Sequence, residues 1–227
     1  SGTPTTATNA TVTISAVNAN GDDTITLTFT MCAASFAHPG VYWSLADLNR
    51  MRDKVAAGEQ PWLAGFNRLA ADPRSSATYA MHGPPSAVGR LTPTGIPDNR
   101  AAYENDGAAV LQNAVMWYIT GNIAHANKAI EILNAWSDPA NPNHLVEFIG
   151  ADRRLLAGIE GQKWIGGAEI IRHTGAGWSE QGIAHFSAMQ RNIVYPVTRQ
   201  YGGGNWGTAG MATNIAMGVF LDDHEMF

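Results

Sequence analysis

A neutral amide and an indole stand where a glycine-rich segment meets an apolar run near the C-terminus. Residues 202–223 read GGGNWGTAGMATNIAMGVFLDD, with Asn205 and Trp206 at the junction. The apolar run predicts a helix from about Trp206 to Leu221. Asn205 then has two interpretations. It caps this helix, since Asn is a preferred N-cap residue, or its amide is held over a pocket to donate a hydrogen bond to developing negative charge.

Side chains that could act as acid or base lie in a long irregular stretch, residues 72–103. The stretch is rich in Gly, Pro, Ser and Thr, and such a loop inside a compact domain is usually functional or disordered. Tyr79 and His82 are candidates for proton transfer or substrate contact, because Tyr and His commonly serve in that role. Arg90 could bind a carboxylate, and Tyr201, just before the glycines, is a further candidate. The alternative for each is an ordinary loop residue.

Residues on the predicted helices could also line a site for sugar rings. Aromatic faces stack on sugars, so Trp206 and Trp117 are candidate substrate contacts; the alternative for Trp117, in the apolar stretch AVLQNAVMWYI, is a core position. Asn113 lies on the same stretch and, if buried, needs partners from either a neighbouring helix or the substrate. Arg153 and Arg154 open a helix, where a cation is unfavourable towards the helix dipole. They invite an anionic neighbour, or simply form surface ion pairs.

Composition and spacing disfavour several other functions. The net charge of −5 and pI near 5.7 argue against nucleic-acid and anionic-membrane partners, and no apolar run reaches the ~20 residues that span a bilayer. The histidines lack the spacing of a zinc site and there is one cysteine, so we predict no metal. The glycines at 202–204 lack the Lys and Ser/Thr of a phosphate-binding loop, and we predict no cofactor. The Ser, Thr, Asn and Gly richness of residues 1–30 favours a secreted protein.

The organisation of the chain changes near residue 36. Before it, alternating apolar and polar residues flank Asn20-Gly21-Asp22-Asp23, which predicts a β-hairpin. After it, apolar residues recur at helical spacing between short turns, and short turns make consecutive helices antiparallel. We therefore predict a β-rich segment over residues 1–35. For residues 36–227 we predict a mainly α domain of antiparallel helical hairpins, arranged as an (α/α) toroid or partial toroid.

The predicted helices have recognisable starts and stops. They cover residues 45–55, 61–69, 106–120, 122–136, 151–173, 179–199 and 206–221. Ser44-Leu45-Ala46-Asp47 is typical of a capping box at the start of the first helix. Gly158, Gly161 and the pair Gly166-Gly167 predict interruptions of the fifth helix, and Pro196 predicts a bend in the sixth.

Several stretches, taken in order, resemble one family. They are HPG at residues 38–40, PW at 61–62, YAMHGPP at 79–85, and then WYITGNIAHANKAIEILNAWS, LLAGIEGQKWIGGAEIIRHT and GGGNWGTAGMATNIAMGVFLDD. From residue 38 to the C-terminus the sequence resembles the alginate-lyase-like superfamily of polysaccharide lyases. The resemblance implies a secreted (α/α) toroid enzyme that cleaves uronate-containing, and hence acidic, polysaccharides by β-elimination. It also implies that Asn205 stabilises the charge that develops on the uronate carboxylate.

The sequence departs from this family in two ways. Family members continue through further helices, so the chain resembles the N-terminal part of the domain, and a missing C-terminal part is an expected partner. In the alginate lyases proper a catalytic histidine follows the asparagine, whereas here Trp206 follows Asn205. The difference favours a relative acting on another uronate, such as a glucuronan, and leaves the base unassigned.

Two alternatives to a lyase stay open from the sequence. A glycoside hydrolase on a helical toroid needs two carboxylates ~5–9.5 Å apart, for which Glu104 with Asp106, or Asp152 with Glu160, can be proposed. The other alternative is a non-catalytic, carbohydrate-binding partial toroid.

Overall fold

The chain divides into two compact units, residues 1–36 and residues 37–227. The computed structural model describes residues 8–18, 21–31, 35–200 and 203–227.

The first unit is an antiparallel β-hairpin. Strand β1 (Thr8–Asn18) pairs with strand β2 (Gly21–Met31), and Ile14 lies opposite Ile25 in the register. Both strands are rich in Thr, Val and Ile, whose branched side chains suit a pleated surface. The pairing confirms the predicted N-terminal hairpin.

The second unit is mainly helical, as predicted. None of the helices in the described ranges combines the length and apolar character that a membrane crossing needs. A short parallel pair of strands, β3 (Ala87–Gly89) and β4 (Glu147–Ile149), joins two loops of this unit. The helices are α1 (Leu45–Ala56), α2 (Trp62–Ala71), α3 (Arg100–Thr120), α4 (Ile123–Ser137), α5 (Arg153–His173), α6 (Glu180–Met189), α7 (Tyr195–Thr198) and α8 (Asn205–Phe220).

The local signals at the helix ends are partly confirmed. Ser44 and Asp47 form the predicted capping box of α1, and α6 begins after the predicted cap Ser179. A π-helical turn, Gln190–Val194, joins α6 to α7. In contrast, α3 begins at Arg100, six residues before the predicted start at Asp106.

The predicted interruptions of α5 are wrong, because this helix is continuous from Arg153 to His173. Its glycines permit close helix packing instead. A Cβ added at Gly158 would lie 2.8 Å from the carbonyl carbon of Ala209 in α8, and one added at Gly167 would lie 2.9 Å from the backbone of Leu111 in α3. Glycine is thus required on α5 by its neighbours on both sides.

Helices α3, α5 and α8 run parallel, with α5 in the middle. The Trp164 indole donates to the Tyr103 carbonyl at 3.2 Å, and further along both helices the Trp117 indole donates to Thr174 Oγ1 at 3.1 Å. On the other side of α5, Thr213 Oγ1 donates to the Gly158 carbonyl at 2.7 Å. Arg172 Nη1 donates to the Phe220 carbonyl at 2.6 Å, again later in both helices.

Helix α4 returns antiparallel to α3. Trp136, at the end of α4, donates to Asp106 near the start of α3, and His125, at the start of α4, bonds Asn113 further along α3. Parallel inner helices joined through antiparallel partners are consistent with the predicted toroid of helical hairpins.

The centre of the unit is an aromatic cluster between α3, α4, α5 and strand β4. Tyr103 packs against Trp136, Phe148 and Trp164, with ring centroids 5.1–5.6 Å apart. Tyr103, Trp136 and Trp164 are fully buried. Such rings dominate the packing energy of a core, and here they fix α5 against α3.

Gly167→Ala should destabilise the protein, whereas Gly65→Ala should stabilise it. The first methyl would meet the α3 backbone, and overpacking of this kind costs about 1–3 kcal/mol. The second would meet nothing within 4 Å, and Ala is preferred over Gly in a helix by about 0.5–1 kcal/mol. Urea denaturation of the two variants measures the difference. Equal midpoints would contradict the close packing of α3 on α5.

Candidate active site

The side chain of Asn205 is exposed at the first position of α8. The N-cap of this helix is Gly204, whose φ of 63° and ψ of −141° lie in a region that favours glycine. No side-chain bond caps α8. The structure therefore assigns the cap to Gly204 and leaves the amide of Asn205, which is exposed, on the surface beside the helix N-terminus.

Arg154 of α5 corresponds in level to Asn205 of α8. Gly158 of α5 touches Ala209 of α8, and the two helices are parallel. Arg154 lies one helical turn before Gly158, and Asn205 lies one turn before Ala209. Residues four apart share one face of a helix, so this register places Arg154 and Asn205 at the same level of the two helices.

The charge of Arg154 is unbalanced within the described ranges. This side chain is half-buried and has no ion-pair partner among the residues that the structure describes. Its neighbour Arg153 instead donates to the Gly150 carbonyl at 3.1 Å. Because the N-terminal turns of α5 and α8 add positive partial charge, this end of the two helices favours an anionic ligand.

Helix α3 begins deeper in the bundle than α5 and α8. The backbone contact between Gly167 and Leu111 places the start of α3 about three residues, or roughly 5 Å, beyond the start of α5. The loop around Arg90 occupies this step: its backbone bonds Ile149 and Asp152, and its guanidinium lies 3.6 Å from the Asp152 carboxylate. Arg90, a predicted carboxylate ligand, is therefore already paired with Asp152.

The loop that carries Tyr79 and His82 is anchored by a buried carboxylate, Asp106 of α3. Oδ1 of Asp106 accepts from the Tyr79 hydroxyl and the His82 backbone, and Oδ2 accepts from the Gly83 backbone and the Trp136 indole, all at 2.9–3.0 Å. Asp106 is fully buried. The carboxylate thereby fixes the loop against α3 and α4.

The same contacts separate the roles of Tyr79 and His82. Tyr79 is buried, and burial together with its hydrogen bond to Asp106 raises the pKa of its hydroxyl, which keeps that group protonated. The His82 imidazole is exposed and stacks on the Tyr79 ring, with centroids 5.9 Å apart. The geometry favours packing for Tyr79 and presents His82 to solvent.

Asn113 and Trp117 lie away from the end of the bundle that carries Asn205. Asn113 is fully buried and donates to the carbonyls of Arg74 and Ala109, which favours the packing interpretation. Trp117 is half-buried near the C-terminal end of α3, where its indole donates to Thr174. Neither geometry suits a contact with a ligand at Asn205.

The structure thus groups the predicted residues unequally. Asn205 and the half-buried Trp206 share the first turn of α8, and Tyr79 and His82 share one loop. Tyr201 lies outside the described residues. Sequence reasoning missed Asp106 as the anchor of that loop; its only signal was an acidic residue at the edge of an apolar helical run.

Parallel helix N-termini, an exposed amide and an unbalanced cation define a helical protein whose site suits an anionic ligand. The family model for alginate lyase matches residues 46–227. The chain therefore belongs to the alginate lyase family, which confirms the family resemblance seen in the sequence. No curated protein matches it. Membership supports a polysaccharide lyase activity on an acidic polysaccharide.

Proposed function

We propose that this protein cleaves a uronate-containing polysaccharide by β-elimination at the N-terminal end of α5 and α8. The observation that carries the proposal is the exposed amide of Asn205 at the first position of α8, beside the face that carries Arg154. In β-elimination a base removes the C5 proton, charge develops on the C6 carboxylate, and the C4 oxygen leaves with a proton. The negative charge on the carboxylate group therefore increases in the transition state, and the site must stabilise this charge more strongly there than in the substrate.

Asn205 and Arg154 divide this task. The guanidinium supplies the charge that binds the uronate carboxylate. The amide donates a hydrogen bond without a full charge, so it stabilises the developing dianionic character more than the ground state. The first turn of α8 contributes its free backbone N–H groups to the same anion.

His82 is the proposed proton-transfer residue, and Trp206 the proposed aromatic contact for a neighbouring sugar. The imidazole is exposed, whereas its backbone is tied to Asp106, so its loop position is defined while the ring remains accessible. Tyr79 supports this ring by stacking. Histidine is the side chain that most often transfers protons in enzyme sites.

The carboxylates proposed for a hydrolase are engaged by protein groups. Asp106 accepts four hydrogen bonds, Asp152 pairs with Arg90, and Glu160 bonds Lys163 at 2.8 Å. Glu104 lies 3.6 Å from Arg100. A hydrolase needs one carboxyl group as acid and another as base or nucleophile on either side of the bond, and these contacts support elimination instead.

The finer assignments extend this proposal. Trp206 stands where alginate lyases proper carry a histidine, which supports a glucuronan-like uronate over alginate. A polymeric substrate lies outside cells, and the Ser- and Thr-rich residues 1–30 support secretion to reach it.

Incubation with alginate, glucuronan, pectate and glycosaminoglycans should produce ultraviolet-absorbing ends from at least one polymer. Elimination leaves an unsaturated uronate, and the largest rate is expected with glucuronan. The matched control is the same polymer after chemical reduction of its carboxyl groups, which removes the anion that the site requires and should abolish the signal.

Two results would contradict the proposal. New reducing ends without ultraviolet absorbance would indicate hydrolysis. Saturable binding to these polymers without any cleavage would indicate the non-catalytic carbohydrate-binding alternative.

A further inference from the structure

A second cluster of ionisable side chains lies at the C-terminal end of α5. Glu169 and His173 lie four residues apart on this helix, and His38 reaches them from the segment before α1. His38 Nδ1 is 2.5 Å from Glu169 Oε1, and His173 Nε2 is 3.6 Å from Glu169 Oε2. The two imidazole rings stack with centroids 4.2 Å apart. The cluster thus joins two separate segments of the chain.

Two buried polar atoms in this cluster lack hydrogen-bond partners within the described ranges. They are Glu169 Oε2 and His173 Nε2, which face each other. Their 3.6 Å separation is too long for a hydrogen bond. Glu169 is only 1% exposed, and a buried carboxylate oxygen without a partner carries a large desolvation cost. A bound group between these atoms would remove that cost.

The spacing of the donor atoms suits one metal ion. Two ligands held about 2.0–2.2 Å from a tetrahedral zinc ion lie roughly 3.3–3.6 Å apart, which matches the separation between Glu169 and His173. One donor atom from each of His38, Glu169 and His173 lies within 4.8 Å of the others. We propose that these three residues bind a divalent transition ion of the zinc class. Two imidazoles and one carboxylate favour such an ion over Ca²⁺ or Mg²⁺, which prefer oxygen ligands.

The surrounding contacts would orient the ligands. Metal-bound histidines usually donate their second ring N–H to a carboxylate, and His38 Nε2 lies 3.0 Å from Asp222 Oδ1. The Gly40 backbone donates to Glu169 Oε1 at 3.2 Å and so holds the carboxylate. Arg172, a nearby cation, is directed to the Phe220 carbonyl at 2.6 Å. His38 Nδ1 would then be the third ligand.

Binding exchanges a proton for the ion. His38 Nδ1 must release the proton that it shares with Glu169 Oε1, and the ring must tilt from its stacked position to direct this nitrogen at the metal. The ion therefore forms bonds to two imidazole nitrogens and one carboxylate oxygen, and the proton passes to solvent. Metal affinity should accordingly fall as the pH is lowered.

The proposed metal site is remote from the proposed active site. Glu169 follows Arg154 by 15 residues along the continuous helix α5, which is roughly 22 Å. Through Asp222, the ion would link the segment before α1 to α5 and to the residues just after α8. Its role would be structural, so its presence or absence is independent of the proposed lyase chemistry.

The test is a zinc titration of protein that has first been treated with a chelator and dialysed. Wild-type protein should retain one zinc per chain after gel filtration, and a hundredfold excess of ZnCl₂ over the Kd should raise the Tm by about 5–10 °C. Glu169→Gln and His173→Gln should lose both effects. The matched control is His185→Gln, which alters a partly buried histidine that faces Asp138 on the surface and should behave as wild type.

A second measurement uses the wild-type chain alone, so it remains valid if the variants fail to fold. Co²⁺ should give visible absorption bands of a low-coordinate nitrogen–oxygen site at pH 7.5, and these bands should disappear at pH 5. Two results would overturn the proposal: absence of these bands together with no retained zinc, or equal zinc binding by Glu169→Gln and wild type. Hydrogen bonds and ring stacking alone would then hold the three side chains together. Lyase activity assayed with and without zinc should be equal, which keeps this outcome separate from the test of the active site.

Discussion

Asn205→Ala should lower kcat/KM for elimination by about 10²–10³-fold, because the amide donates to charge that exists only in the transition state. The fold should be unaffected. Asn205 is exposed, caps nothing and occupies the first helical position, where alanine is well tolerated. The measurement is the rate of ultraviolet absorbance increase, with the Tm of both proteins recorded in parallel.

Asn105→Ala is the matched control for this experiment. Asn105 is a partly buried asparagine in the second turn of α3, and its amide donates to the Ala101 carbonyl at 2.8 Å within this helix. Its loss should change kcat/KM less than twofold. Wild-type turnover by Asn205→Ala would remove the amide from the mechanism. A large fall in the Tm of that variant would instead indicate a structural role.

The helical architecture was predictable because its signals are local. Apolar spacing, capping residues such as Ser44 and Ser179, and short turns each act within about one helical turn of sequence. Where prediction was wrong, a distant neighbour determined the structure. Glycines lower the intrinsic helix propensity of α5. At Gly158 and Gly167, however, the missing side chain lets the backbones of α8 and α3 pack closely against α5, and this packing outweighs the low helix propensity.

The site was predictable only in part, for the same reason. The glycines before Asn205 indicated an unusual helix start, and the structure places the positive φ at Gly204. The facing position of Arg154, in contrast, depends on the contact between α5 and α8, which the sequence does not encode at short range. The pairing of His38 with Glu169 spans 131 residues. A search for histidine and cysteine spacing could not detect it.

Asp106→Asn should lower the free energy of unfolding by about 3–5 kcal/mol. The carboxylate only accepts, with two donors at each oxygen. An asparagine retains one accepting oxygen and turns an NH₂ group towards two donors. Buried donors without acceptors then destabilise both the loop and the Trp136 side chain, and urea denaturation measures the loss.

Tyr79→Phe is the matched control, because it removes one of the four hydrogen bonds and keeps the ring that stacks on His82. Its cost should be about 1–2 kcal/mol. If Asp106 acts as the anchor of the loop, Asp106→Asn should also reduce elimination at temperatures where the protein is still folded, since His82 loses its defined position. Unfolding at the wild-type urea midpoint would contradict the anchoring role. If Asp106→Asn lost only as much free energy of unfolding as Tyr79→Phe, the hydrogen bond from Tyr79 would be the only one that contributes to stability.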